Sequence, residues 1–385
     1  MTSINLTLEL FRLAIVGGEL SEEIQKELTT DKLAEIYKIS KSHDLAHLIG
    51  EVFSRAKLQE AQCVKPFLFA KSMASFRYVQ NAYELEQITA LFDDEKIPYI
   101  PLKGSMLRKY YPEPWMRTSC DIDILVHETD LDRAGEALKA KLEYTFSERA
   151  LHDVSYYSQS GVHLELHYDL TEFNGKFQDF AKNVWDMSTK KSDASSAYET
   201  SNEFFVLYHI AHMAGHLRYG GCGIRPFLDL WLIQNKMTYD KVELERLLSL
   251  CDLSKFAETA FALSNVWFGN AKHTELTRDL EEYIVGGGVY GTLENKVAIL
   301  QTEKKGKLRY IFSRIFLPYN KMKRLYPRLE KAPILLPFYH VKRWLSFLLK
   351  KDKKRAVAEL KYSATISEEK QQKTEKMLKD LQLLK

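Results

Sequence analysis

Cysteine is scarce in this chain. Its four residues, Cys63, Cys120, Cys222 and Cys251, are widely scattered and form no CxxC pair. That excludes a zinc knuckle and a disulfide framework, and it suits reduced thiols in a cytoplasmic protein. Long apolar runs are missing too: no stretch of about 18 apolar residues offers a membrane span, and no basic-then-apolar leader is expected. Glycine (17) and proline (10) are too few for a collagen-like or low-complexity chain. Net charge is small, because 55 basic side chains face 52 acidic ones in 385 residues, leaving +3. What remains, 45% apolar and 28% charged, is a globular composition of a length for two or three domains.

The near-neutral total conceals an asymmetry. From Glu303 to Lys385 there are 23 Lys and Arg against 8 Asp and Glu, a net of +15, so Met1–Thr302 carries −12. Such a split points to a polyanionic partner or to one half of the chain folding over the other.

Periodicity divides the chain into four regions. Residues 1–94 are expected to be helical, with Ser21 and Thr30-Asp31 at helix starts and an amphipathic helix over Tyr78–Asp94. Residues 95–175 change character and suggest a small α/β unit. Pro98–Leu102 is a short apolar strand, and Lys103-Gly104-Ser105 sits where a helix begins. In Cys120–His127, Ile122, Ile124 and Val126 alternate with Asp121, Asp123 and Leu125, which is a strand with two unlike faces. Asp130–Lys141 is expected to be a helix. Val154–Gln159 and Val162–Leu170, separated by Ser160-Gly161, form a hairpin pattern. Helical patterning returns over 176–302, and a basic helical region occupies 303–385. The fold class is therefore α+β, with a small mixed-sheet core embedded between helical regions.

The strongest chemical signal is Asp121-Ile122-Asp123. Residues i and i+2 of a strand share a face, so the two carboxylates project together while Ile122 and Ile124 enter the core. Adjacent carboxylates repel unless a cation lies between them, and an oxygen-rich pair suits Mg²⁺. Two surface aspartates on a solvated strand would give the same pattern. The neighbours favour the first reading. Gly104-Ser105 at a helix start can receive a phosphate. Glu165 alternates with His163, His167 and Asp169 along Val162–Leu170, so it can bring a third carboxylate to the pair.

On these residues the chain resembles the nucleotidyltransferase superfamily related to DNA polymerase β, whose pattern is Gly-Ser at a helix start, Asp-x-Asp on the next strand and a later acidic residue. It is more closely similar to a bacterial family of uncharacterised nucleotidyltransferases. That likeness rests on PLKGSMLRKYYPEPWMRTSCDIDILV (101–126), LELHYDL (164–170), HIAHMAGHLRYGGCGIRPFLDLWL (209–232) and HDLAHLIGEVF (43–53). Glu165 stands where Asp is common, and the interval from Ser105 to Asp121 is longer than usual. The resemblance implies that Asp121, Asp123 and Glu165 are catalytic and hold Mg²⁺ (or Mn²⁺), and that Lys103, Gly104, Ser105 and Arg117 bind nucleotide. Arg117 could equally form an ion pair with Asp121. The implied reaction transfers NMP from an NTP to an unidentified acceptor, a small molecule, protein or RNA. The alternatives are a non-catalytic nucleotide-binding or interaction protein (an antitoxin or biosynthesis-cluster accessory) and a kinase-like transfer of the γ-phosphoryl group.

Other clusters say less. His209, His212 and His216 share a helical face and are expected to pack rather than bind zinc. Arg225 and Asp229 form an i, i+4 pair that would brace a helix. The basic C-terminal region, with Trp344 and Phe347 beside Lys350–Arg355, fits a solvated helical face, an anionic membrane surface or RNA.

Overall fold

This computed structural model describes every residue except 59–61, 171–174, 304–305, 350–361, 363–364 and 385. Helices α1 (Ser3–Val16), α2 (Glu22–Glu27), α3 (Thr30–Ser42), α4 (Ala46–Arg55) and α5 (Lys65–Asp94) come first. The hydroxyls of Thr2, Ser21 and Thr29 accept from the backbone N–H groups of Asn5, Ile24 and Lys32, satisfying donors that a first helical turn leaves orphaned. The amphipathic stretch expected at Tyr78–Asp94 is the second half of α5. Its first half escapes a periodicity reading because Phe69 and Phe76 face solvent there.

Strands β1 (Tyr99–Pro101), β2 (Asp121–Val126), β3 (Thr145–Arg149), β4 (Asp153–Tyr157) and β5 (His163–His167) form one sheet in the order β1-β2-β5-β4-β3. β2 and β5 are parallel, with Asp121 opposite His163 and Asp123 opposite Glu165, and the remaining neighbours are antiparallel. The expected hairpin is β4–β5. Between β1 and β2 lie α6 (Gly104–Leu107) and two 3₁₀ turns, Arg108–Tyr110 and Pro114–Met116. Between β2 and β3 lies α7 (Leu131–Leu142).

The two faces of β2 separate two cores. Ile122, Ile124 and Val126, with Leu164 and Leu166 of β5, pack with Ile88, Leu91 and Phe92 of α5 and Leu131 and Leu138 of α7. Each such fully buried aliphatic side chain contributes roughly 1.5–3 kcal/mol. Leu125, on the opposite face, joins the larger helical core. After α8 (Gly175–Ala181) and the ribbon β6 (Ser188–Lys190) and β7 (Tyr198–Thr200), that larger core takes in α9 (Asn202–Arg218), α10 (Arg225–Lys236), α11 (Lys241–Leu250), α12 (Ser254–Phe268) and α13 (Glu275–Val285).

The basic C-terminal region behaves in two ways. After α14 (Leu293–Glu303) and α15 (Lys307–Ile315), helices α16 (Tyr319–Leu325), α17 (Arg328–Lys331) and α18 (Leu336–Leu349) gather around a small core of Met322, Leu329 and Tyr339. Helix α19 (Glu368–Asp380) instead returns to the body, where Met377, Leu378, Leu381 and Leu383 enter the large core. Its lysines meet the acidic part of the chain: Lys370 pairs with Glu294 (2.8 Å), Lys373 with Glu282 (2.6 Å) and Lys376 with Glu275 (3.1 Å). Lys350–Arg355 and the Phe347 side chain lie outside the described residues. Among the described residues, no helix is long and apolar enough to cross a membrane.

Candidate active site

The Asp-Ile-Asp alternation places Asp121 and Asp123 on the face of β2 that turns away from the α5–α7 core. The parallel register sets His163, Glu165 and His167 of β5 beside them. Ligand atoms of Asp121, His163 and Glu165 lie within 4.8 Å of one another, and so do those of Asp123, Glu165 and His167. Sequence reasoning assigned no role to His163 or His167. The signal was present in the alternation His163-x-Glu165-x-His167, which puts all three on one face.

Asp123 is the buried centre of the site. The Lys103 ammonium lies 3.0 Å from its Oδ1, and Nε2 of His167 lies 2.9 Å from the same oxygen. Burial would raise this carboxyl, but the Lys103 charge and the His167 hydrogen bond outweigh burial and hold it well below the usual carboxylate range. The effect on His167 mirrors this. Burial opposes its protonation, yet hydrogen bonds to Asp123 and Glu165 raise its pKa to about 9, so the imidazole is a cation at neutral pH. Glu165 is lowered, chiefly by the His167 hydrogen bond, with Oε2 3.4 Å away. Asp121 behaves oppositely: burial first, then the Asp123 charge, push its carboxyl upward.

Three carboxylates thus face two cations, Lys103 and protonated His167. Burial is the main reason the Asp121 carboxyl is raised, with the Asp123 charge second, and a cation bound beside it would offset both. The donor set fits a divalent ion, with carboxylate oxygens for Mg²⁺ or Mn²⁺ and, in the group of Asp121, His163 and Glu165, an imidazole nitrogen of His163 that suits Mn²⁺ better than Mg²⁺.

Lys103 reaches Asp123 because β1 pairs directly with β2. Pro101 lies opposite Ile124, and the Leu102 N–H donates to the Asp123 carbonyl at 3.0 Å. The long interval between Ser105 and Asp121 therefore does not separate the two parts of the site. Lys103 has φ +44°, a region that side-chain-bearing residues avoid and that tends to persist at functional sites. Gly104 follows at the start of α6. A Cβ there would stand 3.2 Å from Arg117 Nη1 and 3.4 Å from Ser119 Cβ, so glycine lets the turn press against 117–119 without displacing the Arg117 side chain. Ser105 is half-buried beside it.

Arg117 stands behind this turn and is engaged with a different carboxylate. Its guanidinium donates to both oxygens of Asp229, at 3.1 Å through Nε and 3.0 Å through Nη2, and to the Thr118 carbonyl through Nη1. Tyr111 donates to the same Asp229 at 2.7 Å. The expected pair with Asp121 gives way to this buried clamp, because a fork of N–H groups matches a carboxylate in two bonds, and the guanidinium expected to contact phosphate is engaged here. The i, i+4 pairing of Arg225 with Asp229 gives way with them. Arg225 turns instead to Asp44 (3.1 Å) and Thr118. The histidine face on α9 is packing, as expected: His209 Nε2 lies 3.1 Å from the Pro226 carbonyl, and the His212 and His216 rings meet edge to face at 4.4 Å. Among the described residues those three do not converge as metal ligands.

A family model described as "Uncharacterised nucleotidyltransferase" matches residues 30–269, more than half of the chain. No curated protein and no solved structure matches it. The chain belongs to the uncharacterised nucleotidyltransferase family, and it is accordingly a transferase whose family implies an NTP substrate.

Proposed function

We propose that the sheet face bearing Asp121, Asp123 and Glu165 moves an NMP group from an NTP to a hydroxyl of an acceptor, with Mg²⁺ or Mn²⁺ held by these carboxylates. The observation that carries this reading is the register of β2 against β5, which gathers three carboxylates beside a strained Lys103. When bound, the divalent ion supplies charge neutralisation of the triphosphate. Lys103, Gly104 and Ser105 take its β- and γ-phosphates, and the Lys103 ammonium offers a positive charge already held in place by Asp123. Arg117 is a positioning residue that fixes the 117–119 segment against which Gly104 packs. Glu165, kept ionised by His167, accepts the proton of the acceptor hydroxyl. The acceptor oxygen bonds to the α-phosphorus, the bond from that phosphorus to the bridging oxygen breaks, and pyrophosphate leaves. Positioning and fixed charge account for the rate.

The test is an acceptor screen in cell extract with α-labelled NTPs, comparing the parent with Asp121→Asn. The label should transfer with the parent alone. Equal labelling by both proteins would remove catalysis by this site. Release of ADP in place of pyrophosphate would identify γ-phosphoryl transfer. Nucleotide binding by calorimetry with no turnover in any extract would identify a non-catalytic protein that keeps the fold.

A further inference from the structure

Nine of the 23 exposed large apolar side chains among the described residues fall within residues 312–345. The same stretch is strongly basic. Residues 306–349 hold ten Lys and Arg against a single acidic residue, Glu330, and that one is paired with Lys323 at 3.1 Å. This combination sets the segment apart from α19, whose lysines are met by the acidic body.

The apolar residues are organised. Phe338, Val341 and Leu345 are 61%, 48% and 55% exposed and stand at intervals of three and four, one stripe along α18. Ile334, 88% exposed, precedes them. Helix α15 is tied to the same surface. Phe316 meets the rings of Trp344 and His340 at 5.4 and 5.9 Å and stacks with Phe312, while Trp344 Nε1 donates to the Ile315 carbonyl at 3.0 Å. Exposed Arg309, Lys331 and Lys342 belong to these same elements.

We propose that α15–α18 dock this protein on an anionic lipid bilayer, with the apolar stripe entering the interface and the basic side chains meeting the headgroups. Of the possible occupants, this surface satisfies both of its properties only against anionic lipid. A nucleic acid would neutralise the lysines and arginines but leave Ile334, Phe338 and Leu345 in water. A second copy of the chain would cover the apolar stripe but set a net charge of +9 against another of +9. Lipid buries the one and neutralises the other. Among the described residues no helix is long and apolar enough to cross a membrane, and the proposed docking is along the surface.

The test uses the full chain in co-sedimentation with vesicles. Binding to phosphatidylcholine vesicles containing a quarter phosphatidylglycerol should exceed binding to phosphatidylcholine alone by about tenfold at physiological salt. The triple variant Phe338→Ser, Val341→Ser, Leu345→Ser should lose that binding by about tenfold or more, with circular dichroism and melting temperature of the parent, since these side chains already face solvent. Lys331→Glu with Lys342→Glu should erase the preference for the anionic vesicles. Failure of the parent to sediment with anionic vesicles would overturn the proposal, as would undiminished binding by the triple variant. Binding to single-stranded RNA that vesicles do not displace, or a dimer that the triple variant dissociates, would overturn it in favour of those occupants.

Discussion

Two buried cation–carboxylate pairs serve the molecule in different ways. At Asp229, a rigid guanidinium makes two bonds, a tyrosine hydroxyl makes a third, and the carboxylate side chain is fully buried. At Asp123, a flexible ammonium and an imidazolium converge on one oxygen, the Lys103 side chain keeps 20% exposure, and two more carboxylates stand alongside. The first pair is saturated and sealed. The second has partners that each meet a single oxygen, with two further carboxylates beside it. The difference teaches that burial of a charge pair does not by itself mark structure or function. The number of fixed bonds on the carboxylate, and what lies beside it, separates the two roles.

The sharpest break of this contrast is Asp229→Ala. It strands Arg117 and Tyr111 in the interior, and a loss of about 3–5 kcal/mol in urea unfolding is expected. A loss under about 1 kcal/mol would mean that the clamp is dispensable. At the other pair, Asp123→Asn should lower kcat for pyrophosphate release by about 10²–10³-fold while the far-ultraviolet spectrum stays native. Activity that stays high would dissolve the contrast from the functional side.

A third measurement sharpens the structural side. His47 Nε2 lies 2.8 Å from the Met116 carbonyl, next to Arg117, and burial pushes its pKa down to about 4. Its folded value lies below the unfolded value of about 6.5. Above pH 6.5 both states are neutral and the group is silent. As pH falls from 6.5 to 4 the unfolded chain takes up the proton first, so stability should drop by on the order of 3 kcal/mol and level off below pH 4. The same titration on His47→Gln should lack that component, and an unchanged slope would show that His47 does not carry it. The smallest effect belongs to Lys376→Ala at the α19 surface. Its pair with Glu275 is exposed on both sides and screened by solvent, so the melting curve of this variant should overlay that of the parent. A larger loss would place that surface pair with the sealed clamp.

Local patterns were legible where neighbours in sequence decide the outcome. The alternation in Asp121–Val126 depends only on strand geometry, the N-cap at Ser21 only on its own first turn, and the β4–β5 hairpin on a Gly161 with φ +83°. The pairings that assemble the site were not legible. Arg117 and Asp229 are 112 residues apart, and the nearer basic residue, Arg225, offered a plausible helical interval that tertiary packing overrode. Strand β3 gave no signal because all five of its residues are exposed at the sheet edge, leaving no buried face to alternate with an outer one. Lys103 was legible as a basic residue near a turn, but its left-handed backbone and its reach to Asp123 follow from β1 pairing with β2.

The parallel pairing of β2 with β5 has a consequence for how this site tolerates change in chain length. Parity, rather than distance along the chain, is what the site conserves. Extra residues in the turn between β4 and β5 leave Asp123 opposite Glu165, since backbone hydrogen bonds set that register. One residue inserted inside β2, just before Asp123, would leave Asp121 in place but carry Asp123 into the position Ile124 now holds, toward the core, and bring an isoleucine to the site face.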